Sequence, residues 1–272
     1  MKRIAKVFRI VCACAAISAS ATPQPTNTAP TAIEQAQTVL PSAAVLRHAV
    51  ISHLPQKAVT LKGRLTGQCA GTDEKFALNV TISLKADGER VNAVYQAFDA
   101  FGVLLGTVRL DRDPGAAPRF TYQAGLDGAV ETDPDLFRTI GTSDTYWIDL
   151  ALGFLWWTRG QTIGRQETRG RDCFVADYYT PRPDRDQYSS VRLWIDQKVG
   201  MFLQAEAFDR AGTLARRVII KSFKKIGEDW MVKDIELRSM PSGRKTFLRI
   251  DELTIDGVKP ADAAPEALES AQ

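Results

Sequence analysis

The sequence predicts an α+β fold that is mainly β, built on an antiparallel meander that forms either a large curved sheet or a barrel. Apolar and polar residues alternate in many segments, as in residues 78–84, and a period of two is typical of a strand with one wet face. Tight turns containing Gly, Asp and Pro separate these segments. The predicted strands are residues 78–84, 91–98, 103–110, 191–196, 201–208, 213–225, 230–239 and 245–255.

Two short segments interrupt the alternation with helical signals. Residues 42–54 have an apolar face, Ser42 as an N-cap and Pro55 as a stop, so we predict a helix there. We predict a second short helix at residues 133–140. These helices are few compared with the strands, which keeps the predicted fold mainly β.

Residues 143–157, called the tryptophan segment below, hold three of the five tryptophans of the chain. We predict a helix that begins at Ser143 or Asp144, and the period leaves an extended form of residues 150–157 open. Such a helix has only a narrow polar strip, so it requires cover on more than one side. The strip is Thr145, Asp149 and Gly153, and the main apolar face is Trp147, Leu150, Ala151, Phe154 and Trp157.

Several predicted strands are apolar on both faces. Residues 213–225, for example, place Val218 on one face and Ile219 on the other. Because few helices are predicted to cover this sheet, we expect an additional apolar partner. The alternative is that the predicted helices and the N-terminal segment cover it.

The two ends of the chain are predicted to lie outside the folded domain. Residues 1–21 combine a basic start, a short apolar run and small residues before Ala21, which is typical of a cleaved signal peptide and predicts export. The apolar run is much shorter than the roughly 20 residues of a membrane span, and lipid anchoring at Cys14 is an alternative. We expect a Pro/Thr-rich linker at residues 22–40, the folded domain at residues 41–256 and a disordered tail at residues 257–272.

Outside the predicted signal peptide, the sequence has two cysteines, Cys69 and Cys173. In an oxidising compartment such a pair predicts a disulfide. A bridge that closes a loop of about a hundred residues would stabilise the fold by roughly 4–5 kcal/mol. Two unrelated buried thiols are the alternative.

The residues give little support to nucleic-acid binding or catalysis. The chain has 35 lysines and arginines against 32 acidic residues, and four of the bases lie in residues 1–21, so the exported part is nearly neutral. His48 and His53 are five residues apart, which does not place them on one helical face for a metal ion. The acidic residues beside proline or glycine fit turns better than a carboxylate site. We therefore expect no enzyme activity, no cofactor and no metal.

The C-terminal half resembles a known family. From residue 191 to residue 253 the strand ending in Trp194-Ile195-Asp196 precedes a strand that ends in the turn Asp209–Gly212. A strand opening at Trp230 follows, and a last strand opens at Thr246 after a glycine turn. This order is similar to that of bacterial outer-membrane lipoprotein-sorting proteins of the LolA-like superfamily, and the resemblance covers roughly residues 61–255.

The resemblance implies a fold and a role. The fold would be an open, strongly curved antiparallel half-barrel, with short helices lying as a lid in its concave face. The cavity would hold acyl chains of lipoproteins or other lipids in the periplasm, without bond chemistry. The implied partners are inner-membrane release machinery and an outer-membrane acceptor, and we expect a monomer. An envelope sensor that recognises lipid or mislocalised lipoprotein on the same fold is the alternative.

The resemblance also implies a set of lining residues. An arginine on the sheet would hold the lid closed, and Arg64 and Arg109 are the candidates. Which face of each strand points inward stays open, because a slip of one residue reverses the face. The expected lining is Trp147, Leu150, Phe154, Leu155, Trp156 and Trp157 of the tryptophan segment, with Leu78, Val80, Ile82, Leu84, Val191, Leu193 and Ile195 of the sheet.

Overall fold

A computed structural model describes residues 39–226 and 229–258. The predicted signal peptide, Cys14, most of the linker and the tail from residue 259 onward lie outside the described residues. Within the described part, thirteen strands form one curved antiparallel sheet and the helices are short. None of these helices has the length and apolar character that a membrane span requires.

The elements follow one another along the chain with short connections. Helix α1 is Ala43–Ser52, helix α2 is Trp147–Leu150, and a 3₁₀ helix is Gly153–Trp156. The strands are β1 (Val59–Gln68), β2 (Lys75–Asp87), β3 (Arg90–Phe98), β4 (Leu104–Arg112), β5 (Arg119–Ala124), β6 (Val130–Thr132), β7 (Arg159–Thr168), β8 (Arg171–Tyr179), β9 (Tyr188–Asp196), β10 (Phe202–Asp209), β11 (Leu214–Ile226), β12 (Asp229–Ser239) and β13 (Lys245–Ile255).

Every strand predicted from alternation is present, and the structure adds β1, β5, β6, β7 and β8. Strands β6 and β7 form the two edges of the sheet, and most of their residues are exposed. Edge strands of this kind lack a clear apolar period, because neither face is fully covered. Within the described residues no pairing joins β6 to β7, so the sheet is open.

The sheet consists of two meanders that meet at the chain ends of the domain. Its strand order is β6-β5-β4-β3-β2-β1-β13-β12-β11-β10-β9-β8-β7, so neighbours are consecutive in sequence except at the β1–β13 pair. That pair runs antiparallel from Val59 opposite Ile255 to Thr66 opposite Phe247. This ladder therefore makes one sheet from two local units.

Strand β2 shows how the concave face is built. Its residues are alternately buried and more exposed over most of its length, as one covered face requires. Ile82 lies opposite Leu61 of β1 and Tyr95 of β3, so these side chains share a face. The core forms against this face, beneath α1 and the tryptophan segment.

The first predicted helix is confirmed as α1. Its N-cap is Ser42, whose hydroxyl accepts a hydrogen bond from the Val45 N–H at 3.3 Å. The helix buries Ala43, Leu46 and Val50 and ends at Ser52, before the predicted end at residue 54.

The predicted helix at residues 133–140 is wrong. Asp133 has a φ of 50°, and Pro134 supplies no backbone N–H. The Asp135 carboxylate accepts a hydrogen bond from the Phe137 N–H at 2.9 Å, which satisfies the chain in a turn. This loop instead holds the next segment: the Trp147 N–H donates to the Arg138 carbonyl at 3.3 Å.

The tryptophan segment is not the continuous helix predicted for it. It contains α2 and the 3₁₀ helix, each four residues long, separated by a left-handed residue, Leu152, with a φ of 47°. The first turn begins after Tyr146, whose N–H donates to the Asp149 carboxylate at 3.2 Å, so neither Ser143 nor Asp144 is the cap. Gly153 permits the break, since a Cβ there would lie 3.1 Å from Ile148 Cγ1.

The predicted Cys69–Cys173 disulfide is also corrected, because both cysteines are free thiols. Cys69 follows β1 and its Sγ contacts the Thr142 hydroxyl at 3.6 Å. Cys173 lies in β8, is fully buried, and its Sγ contacts the Arg171 carbonyl at 3.5 Å. Strands β13, β12, β11, β10 and β9 lie between β1 and β8 in the sheet, so the two thiols have different neighbours.

We expect alkylation of unfolded, unreduced protein to modify both Cys69 and Cys173. In the folded protein Cys173 should react far more slowly, because burial raises its pKa to about 11 and little thiolate forms at neutral pH. Peptide mass spectrometry measures the extent of alkylation of each cysteine in the folded and in the unfolded protein. A disulfide-linked pair of peptides would contradict it.

Candidate functional site

A cavity of about 170 Å³ lies on the concave side of the sheet. Its sheet wall comes mainly from five neighbouring strands, β3, β2, β1, β13 and β12, with Phe202 of β10 as a further lining residue, and it therefore crosses the junction of the two meanders. The opposite walls are the C-terminal end of α1 and the second half of the tryptophan segment. The sheet wall includes Leu61, Ile82, Leu84, Tyr95, Leu248 and Ile250.

The lining of this cavity is almost entirely hydrocarbon. The lining residues with polar N–H or O–H groups on their side chains are His53, which is exposed, and Tyr95 and Trp156, which are buried. Burial raises the pKa of the Tyr95 hydroxyl above its usual range, so this group stays protonated. No charged lining residue opposes an apolar occupant.

The tryptophan segment divides into an anchored half, residues 143–149, and a cavity-facing half, residues 150–157. Trp147 is 1% exposed and packs edge-to-face on Tyr122 with the ring centroids 5.9 Å apart. A Cβ at Gly106 of β4 would lie 3.0 Å from the Tyr122 side chain and 3.1 Å from the Trp147 ring, so this glycine makes room for both side chains. The side chains of this segment that line the cavity are Leu150, Ala151, Leu152, Leu155 and Trp156.

Three of the six predicted lining residues of this segment, Leu150, Leu155 and Trp156, border the cavity. Trp147, Phe154 and Trp157 do not border it and are buried in the surrounding core. The Arg112 guanidinium lies 5.9 Å from the centroid of the Trp156 ring, so this indole contacts a cation as well as bordering the cavity.

The predicted sheet residues lie on the concave face, and two of them, Ile82 and Leu84, border the cavity. Leu78 and Val80 alternate in phase with these two and are buried farther along β2. In β9, Ile195 lies opposite Phe202, a cavity residue, so the β9 side chains in phase with Ile195 face the same side. Val191, Leu193 and Ile195 are buried there in the core without bordering the cavity.

A buried ion pair holds the anchored half of the tryptophan segment to the sheet. Arg216 of β11 is 3% exposed, and its Nε lies 3.1 Å from Asp149 Oδ2. A second guanidinium nitrogen donates to the Asp144 carbonyl at 2.5 Å. The Tyr188 hydroxyl completes the site by donating to Asp149 Oδ1 at 3.0 Å. The arginine therefore fixes both the start of the segment and its first helical turn.

Burial and pairing act in opposite directions on these charges. Burial raises the pKa of the Asp149 carboxyl, and the attraction of Arg216 opposes this rise. Burial disfavours the Arg216 cation, but Asp149 raises the pKa of Arg216 above its usual range, so it remains charged. Within the described residues, three buried polar atoms of this cluster lack partners: Arg216 Nη1, Asp144 Oδ2 and Thr145 Oγ1. This cluster is less fully satisfied than a typical core.

Arg64 and Arg109 do not hold the segment. Arg64 points outward, where its Nε lies 2.8 Å from the Asp251 carboxylate, and Arg109 is exposed. The arginine that holds the segment, Arg216, was missed. One signal was available, because Asp149 in an otherwise apolar segment requires a buried cationic partner.

Comparisons with known proteins place this geometry in a structural class. A family model described as an uncharacterized protein matches residues 142–269, and no curated protein matches the chain. A solved DUF1329 family protein from Desulfovibrio piger has a TM-score of 0.65 and 14% identity, covering 78% of this chain and 91% of that one. A domain described as an outer membrane lipoprotein-sorting protein, from Vibrio parahaemolyticus, has a TM-score of 0.66 and 13% identity, with the same coverage.

A LolA superfamily protein from Nitrosomonas europaea aligns with a TM-score of 0.60 at 13% identity, covering 83% of this chain and 96% of that one. This chain has the LolA-like fold. The resemblance stated from the sequence is therefore confirmed for the fold. At these identities the likeness concerns the fold alone.

The LolA-like fold here carries no recognisable metal site in the part of the chain that the structure describes. His48 and His53 are both exposed, on and just after α1. The lining of the cavity offers the burial of hydrocarbon, and a charged anchor lies beside it.

We expect Arg216→Met to lower the free energy of unfolding by about 3–5 kcal/mol, because it leaves the Asp149 carboxylate buried without its cation. The matched control is Arg217→Met on the same strand. Arg217 pairs with Glu206 at 2.7 Å and is partly exposed, so its loss should cost about 1 kcal/mol or less. Urea unfolding of both variants measures the difference, and equal losses would contradict the anchoring role.

Proposed function

We propose that this protein binds the acyl chain of a lipoprotein or other lipid in the cavity and carries it through the periplasm towards the outer membrane. No bond chemistry is involved. The observation that carries the proposal is the apolar cavity between the concave sheet and the tryptophan segment. The LolA-like fold supports it, since one protein of this fold is described as an outer membrane lipoprotein-sorting protein.

The size of the cavity limits what it holds without movement. An engineered apolar cavity of about 150 Å³ binds benzene, so a cavity of about 170 Å³ accepts a short piece of hydrocarbon. Burial of an acyl chain is worth about 0.8 kcal/mol per methylene, or roughly 11 kcal/mol for fourteen carbons. A long chain therefore gains most of its binding energy only if part of the protein moves aside.

The part that moves, in this proposal, is the cavity-facing half of the tryptophan segment. Leu152 has a left-handed conformation, so α2 and the 3₁₀ helix Gly153–Trp156 do not form one continuous helix. The bound acyl chain then makes the apolar contacts with the sheet that this part of the segment makes in the empty protein. The segment returns to its place when the chain leaves. The Arg216–Asp149 pair keeps the other half in place during this exchange.

The proposed partners are inner-membrane machinery that loads the cavity and an outer-membrane acceptor that empties it. The protein acts as a monomer in this proposal, with an acyl chain as its ligand. Export to the periplasm is part of this proposal and is supported by the signal-peptide pattern of residues 1–21, which lie outside the described part.

A sensor on the same fold is the second candidate. Within the described residues, the edge strands β6 and β7 have no outer neighbour, and each carries an exposed apolar side chain, Val130 and Ile163. A partner strand could pair with such an edge and report on the occupied cavity. Binding of a partner protein that depends on lipid occupancy favours the sensor, and transfer of the lipid to vesicles favours the carrier.

A variant that fills the cavity tests whether lipid binds there. We expect Leu84→Trp to abolish the uptake of palmitate and of a palmitoylated lipopeptide, because the indole occupies the cavity from its half-buried wall. The control is Val45→Trp, which adds the same indole on the exposed side of α1. Native mass spectrometry after incubation with each lipid measures bound chains per protein.

Two results would count against the proposal. The first is undiminished uptake by Leu84→Trp while it keeps the unfolding midpoint of the wild type. The second is a wild-type protein that takes up neither palmitate nor the lipopeptide.

A further inference from the structure

Tyr95 places a hydroxyl in a cavity wall that is otherwise mostly hydrocarbon. It lies in β3 between Ile82 of β2 and Val108 of β4, on the concave face, and it is 8% exposed. The neighbouring lining residues, Ile82 and Leu84, are aliphatic. An aliphatic or phenylalanine side chain would complete this wall equally well if the cavity held only hydrocarbon.

Of the other buried tyrosines of this domain, two have hydrogen-bond partners for their hydroxyls, and the third, Tyr122, has a cation against its ring. The Tyr178 hydroxyl donates to the Ala43 carbonyl at 2.8 Å, and the Tyr188 hydroxyl donates to the Asp149 carboxylate at 3.0 Å. The ring of Tyr122 lies beneath the Arg138 guanidinium, 4.1 Å from its centroid. For the Tyr95 hydroxyl, no hydrogen-bond partner exists within the part of the chain that the structure describes.

The Tyr95 hydroxyl is not among the fully enclosed polar atoms of the described residues, so it reaches the open space of the cavity, where water or a bound ligand can accept its hydrogen bond. Buried polar groups are hydrogen-bonded in the great majority of proteins, because an unpaired group loses its hydration without compensation. Burial also raises the pKa of this phenol above its usual range, so it is a hydrogen-bond donor at neutral pH. The missing partner is therefore an acceptor, and the cavity is the place where a ligand supplies it.

We propose that the Tyr95 hydroxyl donates a hydrogen bond to the carbonyl oxygen of the bound acyl group, so that the cavity prefers acyl esters and amides to bare hydrocarbons. This inference rests on the proposed function, because it requires an acyl chain in this cavity. It adds the substrate class: a chain that carries a carbonyl at its head, as in the ester and amide linkages of lipids.

The test compares two probes that differ in the carbonyl. Methyl decanoate and a straight-chain alkane of the same length each displace the fluorescent reporter N-phenyl-1-naphthylamine from the full-length protein. We expect Tyr95→Phe to weaken methyl decanoate binding about fivefold and to leave alkane binding unchanged. The matched control is Tyr179→Phe, whose hydroxyl accepts a hydrogen bond from Gln161 at 2.9 Å and does not line the cavity.

A spectroscopic measurement keeps the test independent of the variant. The infrared carbonyl stretch of ¹³C-labelled methyl decanoate should be lower in the complex with the wild-type protein than in hexane, as a hydrogen-bonded ester requires. A hexane-like frequency, or equal effects of Tyr95→Phe on both probes, overturns the inference while the cavity still binds lipid. If neither probe binds the wild type, the proposed function itself fails.

Discussion

The pairing of β1 with β13 is the constraint on which the rest of the structure depends. Each meander alone is a local structure of consecutive antiparallel strands, and this one ladder between distant segments joins them into a single curved sheet. The cavity lies across that junction, with Leu61 on one strand and Leu248 and Ile250 on the other. Because the two halves meet there, the concave face is wider than either meander provides, and α1 with the tryptophan segment covers it incompletely.

The cover itself combines two kinds of contact. Its first half is fixed by directional interactions, the Arg216–Asp149 pair and the edge-to-face packing of Trp147 on Tyr122. Its second half contributes mainly apolar side chains to the cavity. Directional contacts are costly to leave unmade in the interior, whereas one apolar surface substitutes for another at little cost. This difference is the physical basis for a segment that remains attached while part of it yields to a ligand.

The sequence allowed much of the fold and part of the site to be predicted. Strict alternation in β2 groups Ile82 and Leu84 on one face, because successive side chains of a strand point to opposite sides. The prediction of a helix at residues 133–140 was wrong because local hydrogen bonding by Asp135 and the missing N–H of Pro134 favour a turn. The prediction of a continuous helix in the tryptophan segment was wrong at Leu152. The apolar period there fits a helix, but the close packing of Gly153 against Ile148 favours a break.

By itself the sequence determined the strand periods, the turns between strands, the excess of apolar surface and the position of the tryptophan segment. These properties depend on residues close together in the chain, and the physical rules that govern them act over a few residues. Only the tertiary structure decided that Arg216 meets Asp149, that Cys69 and Cys173 remain apart, and which apolar side chains border open space. Those outcomes depend on the order of strands in the sheet and on its curvature, which bring together residues that no local pattern relates.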